Sequence, residues 1–117
     1  MKTSSVIFLL LFVIGLIPAR AQSISAGDAK AHIGENATVC GKVTGERTAT
    51  SSRGKPTFIN LDAAYPNQVF TILIWGDNRA QIGELPRVDS RVCATGIIQD
   101  YRGVPEIVVR SAEQLSK

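Results

Sequence analysis

From Ala37 onward the chain alternates. Ala37, Val39, Gly41 and Val43 fall on one side of an extended backbone, and Thr38, Cys40, Lys42 and Thr44 on the other. This period of two marks a strand with one buried face, and Gly41 in its middle predicts a bulge or a tight bend. "PTFINLD", residues 56–62, reads as a second strand with Phe58 and Asn60 on one side and Ile59 and Leu61 on the other. Turning Ile59 and Leu61 inward leaves Phe58 and Asn60 outward; the opposite choice packs Phe58 in the core. "QVFTILIWG", residues 68–76, is a nearly unbroken apolar run, the pattern of a central strand covered on both faces. "RVCATGII", residues 91–98, repeats the first pattern, and "PEIVV", residues 105–109, is a short fifth strand. Pro105 sets that strand's start or an edge position.

Two short helices interrupt the strands. Ser25 can cap a turn that carries Asp28, Ala29, Ala31 and Ile33 and ends near Gly34. Asp77 can cap "DNRAQIG", one to two turns ending at Gly83, with Trp75 packed against it. The connections are polar: "ERTATSSRGK" (46–55), "AAYPN" with turn chemistry at Pro66-Asn67, and "QDYRG" (99–103). The tail "SAEQLSK" is either a helical turn or frayed.

The N-terminus has a different character. Lys2 precedes an uncharged apolar run of 12 residues, Val6 to Ile17, then Pro18 and "ARA". The run is shorter than the roughly 20 residues a spanning helix needs. With small residues before Gln22, it reads as a secretory signal peptide (residues 1–21) cut after Ala21, with an uncleaved anchor as the alternative. The mature chain, 22–117, is then a single domain, since two would each be too small to bury a core. Subtracting Lys2 and Arg20 from the 13 basic residues leaves eleven against ten acidic ones, a net charge of +1. The broad basic balance of many nucleic-acid binders is absent, so only local clustering can support such a partner. In an oxidising compartment Cys40 and Cys93 are a candidate disulfide, the alternative being two unpaired thiols. Two cysteines and a distant histidine do not make a zinc site.

The order is short helix, three strands, short helix, two strands. Taken together, "VCGKV", "FINLD", "YPNQVFTILIWG" and "TGIIQDYRGVPEIVV" resemble the small secreted bacterial OB-fold domains of the nucleic-acid-binding type. The resemblance implies an all-β, five-stranded Greek-key barrel. Its ligand would lie across the second and third strands, between the loops joining strands 1–2 and 4–5. Arg47, Arg53 and Lys55 in the first loop would then approach Tyr101 and Arg102 in the second. Cations hold phosphates and a ring stacks a base, so this set suits a single strand, with Phe58 as a further platform if it faces outward. Solvated hairpin tips give the same composition, and Glu46 and Asp100 weaken the field. In this barrel the first and fourth strands are neighbours, which places Cys40 and Cys93 on one non-core face. Tyr65 before Pro66 would close one end of the barrel.

Catalytic patterns are missing. His32 is the sole histidine, Asp62, Asp77 and Asp89 sit at turns and caps, and there is no Ser-His-Asp set, P-loop or HExxH. The expectation is an exported, periplasmic or secreted, non-enzymatic module without cofactor or metal that binds single-stranded nucleic acid weakly. The alternative is an adaptor that uses the same face for a protein, glycan or small ligand.

Overall fold

The computed structural model describes residues 23–117; the expected signal peptide and its expected cut after Ala21 lie outside the described residues. Eight strands are present: β1 (Ser23–Ser25), β2 (Asn36–Thr48), β3 (Thr57–Leu61), β4 (Phe70–Ile74), β5 (Arg91–Ile97), β6 (Gln99–Tyr101), β7 (Val104–Val108) and β8 (Leu115–Ser116). One helix, α1 (Gly76–Ile82), and two 3-10 turns, Ala26–His32 and Ala112–Gln114, complete the described chain. The five expected strands correspond to β2, β3, β4, β5 and β7. The expected count was too low because β1, β6 and β8 are only two or three residues long and exist through pairing with distant strands.

The strands form one sheet in the order β6-β7-β4-β3-β2-β5-β8, with β1 on β2. β5 and β6 lie far apart in this order yet are joined through Ile98 alone. The sheet must therefore curl on itself, and it forms a half-barrel. The break at Ile98 has a cause: its amide donates to the Glu35 carbonyl, and its carbonyl accepts from the Gly34 amide. β4 and β7 run parallel, while β2 pairs antiparallel with β3 through its second half and with β5 through its first. The concave core is filled by Val39, Val43, Ile59, Leu61, Phe70 and Ile107, all fully buried. Ile59 and Leu61 thus point inward. Ala26 and Ala29 join this core, because three residues make one turn of a 3-10 helix and put both methyls on one side.

Several local expectations are corrected. Ser25 is the N-cap of the first 3-10 turn as expected, but its hydroxyl donates to the Asp28 carboxylate and caps no backbone amide. Trp75, not Asp77, occupies the N-cap of α1, and its ring lies against Gly54 of the β2–β3 turn. The bulge in β2 falls between Val43 and Gly45, not at Gly41. Gly41 is required by crowding: a Cβ there would meet Asp62 Oδ1 at 2.9 Å and the Ala26 methyl at 3.1 Å. The polar stretch 46–55 is not all loop, because β2 continues to Thr48 and pairs Arg47 with Phe58. Likewise Gln99–Tyr101 is strand rather than turn. The tail is ordered by Gln114, whose carboxamide accepts from the Arg110 and Ser111 amides and donates to the carbonyls of Thr95 and Val108.

Cys40 and Cys93 face each other across β2 and β5 and form a disulfide. Thr38 and Thr95, two positions along the same face, share a hydroxyl hydrogen bond of 2.7 Å.

Candidate nucleic-acid interface

The outer face of β3, β4 and β7 carries the polar residues these strands keep out of the core. Strand register aligns Asn60 with Thr71 and Thr71 with Glu106, one transverse row across three strands. These three side chains are only 8%, 6% and 7% exposed. They form the floor of a cavity of about 510 Å³, within the range of small-ligand sites. The Thr71 hydroxyl donates to Asn60 Oδ1 at 3.4 Å. Burial pushes the Glu106 carboxyl above its ordinary range.

Two hairpins wall the cavity. On one side β2 and β3 bring Gly45, Glu46, Arg47 and Phe58. Thr44, the extra residue of the bulge, donates its hydroxyl to the carbonyls of Asn60 and Ala63, which fixes β2 where it begins to border the cavity. On the other side β6 and β7 bring Tyr101, Arg102 and Val104. Arg102 and Gly103 both have positive φ, 51° and 86°, as a two-residue hairpin turn of the right twist demands. The Asp100 carboxylate accepts from the Gly103 amide at 2.9 Å and holds this turn. Arg102 lies 5.3 Å from the centre of the Tyr101 ring, a cation–π distance. Tyr65 and Gln68, from the connection between β3 and β4, close the third side.

The cavity therefore gathers Arg47, Phe58, Tyr101 and Arg102. Arg53 and Lys55 are elsewhere: both are exposed on the β2–β3 turn above Trp75 and do not line it. The turn is organised by its own backbone bonds, Ala49 to Pro56 and Ser52 to Lys55, and by the Gly54 carbonyl accepting from Gly76. Glu106, Thr71 and Gln68 are polar lining residues that sequence patterning did not single out. For Glu106 a signal existed, an acid inside the apolar strand "PEIVV"; for Thr71 it was one hydroxyl within "VFTILIW". His32 bonds Glu35 and neither lines the cavity. Asp62 accepts the Lys42 amide at 2.8 Å, a structural role. Among the described residues no group of three His, Cys, Asp or Glu is placed to hold a metal ion.

No family model and no curated protein matches the chain. Solved structures do share its fold. One is the crystal structure of a protein assigned as an aspartyl-tRNA synthetase from Leishmania major Friedlin, with a TM-score of 0.56 and 13% identity. The match covers 88% of this chain and 22% of that one, so the present chain is similar to a minor part of that protein, in fold alone.

Proposed function

We propose that residues 22–117 form one exported, non-enzymatic OB-fold module that binds single-stranded nucleic acid weakly in the cavity between the β2–β3 and β6–β7 hairpins. The observation that carries this reading is the convergence of Arg47 and Arg102 with Phe58, Tyr65 and Tyr101 around one opening. Guanidinium groups bind phosphates, and rings stack bases at about 1–3 kcal/mol each. Arg53 and Lys55, exposed on the neighbouring turn, would meet phosphates beyond the opening. The OB assignment draws support from the parallel β4–β7 pair, from β2 shared between β3 and β5, and from α1 between β4 and β5. A structure of similar fold is named for a tRNA substrate. Export is supported by the signal pattern of residues 1–21 and by the Cys40–Cys93 disulfide. No described helix is long and apolar enough to cross a membrane.

Fluorescence anisotropy of labelled single-stranded DNA and RNA, titrated with the mature domain across a salt series, tests the reading. Affinity is expected to fall as salt rises and to vanish in Arg47→Glu with Arg102→Glu. Absence of binding at low salt overturns it. The net charge of only +1 over residues 22–117 favours a second reading, an adaptor for a protein, glycan or small ligand on the same face. A glycan array and a pull-down from envelope extract separate the two.

A further inference from the structure

We propose that the cavity is a base-specific pocket in which the Glu106 carboxylate reads the Watson–Crick edge of a single guanine. The inference rests on the nucleic-acid reading above and names the part of the ligand that the cavity takes.

Among the described residues, two acceptors in the cavity lining, on Glu106 and Gln68, lack a protein donor. Along β7 and just past its end, Ile107 and Val109 turn into the core, and Val104 and Glu106 face the cavity. Glu106 is buried there at 7% exposure, and among the described residues it joins no hydrogen bond or ion pair. Burial is accordingly what shifts its titration upward. Isolated buried carboxylates are costly, and proteins keep them where a partner is supplied. The carboxamide oxygen of Gln68, in the same cavity wall, is also buried without a hydrogen-bond partner. A ligand that satisfies this site must bring hydrogen-bond donors.

The four bases differ in what they offer. Guanine alone carries two neighbouring donors on its Watson–Crick edge, the ring N1–H and the exocyclic N2 amino group, which match the two oxygens of one carboxylate. Adenine and cytosine offer one amino group beside a ring nitrogen whose lone pair repels a carboxylate. Uracil and thymine offer one N–H between two carbonyls. Asn60, whose Oδ1 already accepts from Thr71, keeps its amide donors for an acceptor such as guanine O6. Phe58, Tyr65 and Tyr101 around the opening supply stacking, which does not discriminate among bases.

The test uses thymine octamers with G, A, C, T or inosine at one central position, measured by anisotropy against the mature domain and its Glu106→Gln variant. The G octamer is expected to bind about tenfold more tightly than the others, the usual scale of one bidentate base contact. Inosine lacks the N2 amino group and should lose most of that advantage. In Glu106→Gln the side chain presents one acceptor and one donor, so preference should pass from guanine to adenine or cytosine. Equal binding of all five octamers to the native protein overturns the pocket but leaves the nucleic-acid reading standing, as does a guanine preference unchanged in the variant. No binding of any octamer overturns both. The inosine comparison uses only the native protein and holds whether or not the variant folds.

Discussion

Glu106 sits at an outward-facing position of an apolar strand, where the cavity wall strips its carboxyl of part of its hydration. For an acid whose folded-state pKa lies above its unfolded value, the folded state binds the proton more tightly. Its contribution to stability is therefore fully present below the ordinary carboxylate range and is lost as pH rises through the raised value. The other charged groups at the cavity, Glu46, Arg47 and Arg102, are solvent-exposed. Glu106→Gln is expected to raise the thermal midpoint at neutral pH, a gain on the order of 1 kcal/mol, and to leave it unchanged near pH 4. Melting curves at the two pH values check this. Gly41 gives a second residue-scale outcome. A methyl there would press on Asp62 Oδ1 at 2.9 Å, so Gly41→Ala should cost about 1–3 kcal/mol in urea unfolding. The sequence made Gly41 conspicuous but not its reason, because Asp62 and Ala26 reach it from distant positions.

At the scale of elements, alternation and apolar runs marked all five principal strands, including the inward choice of Ile59 and Leu61. Their ends were less legible. "ERT" looks like loop because Glu46, Arg47 and Thr48 are all exposed and polar; only pairing with Ile59, Phe58 and Thr57 makes it strand. That pairing moves Arg47 from a mobile-looking tip to a rigid cavity wall, while Arg53 and Lys55 stay on the turn. Gly45, across from Asn60, borders the cavity, and a Cβ there meets nothing within 4 Å. Gly45→Phe should therefore fill the opening with little loss of stability and weaken octamer binding at least tenfold, read by anisotropy alongside a melting curve. The tail depends on a single side chain. Gln114→Ala removes four hydrogen bonds around β5, β7 and the last turn. Amide exchange at Arg110 and Ser111 should accelerate markedly, with a global loss of about 2 kcal/mol.

For the whole molecule, the curl of the sheet follows from one residue, Ile98, linking strands at opposite ends of the strand order. No local pattern encodes that; "RVCATGII" and "QDY" differ in patterning, but the break needs Gly34 and Glu35 from the other side of the core. The disulfide secures β2 to β5 across a sequence separation of 53. Replacing both cysteines with alanine should lower unfolding free energy by about 4 kcal/mol in the loop-entropy account, measured by urea denaturation.

The placement of Trp75 has an optical consequence. It is the single indole of the chain, it is 40% exposed, and its ring rests on Gly54 beneath the turn that carries Arg53 and Lys55. Both tyrosines of the chain border the cavity, whereas Trp75 does not. The protein thus carries two separable chromophores: under the proposed reading, tyrosine emission should respond to a ligand in the cavity, and tryptophan emission should respond only if the Arg53–Lys55 turn is engaged as well.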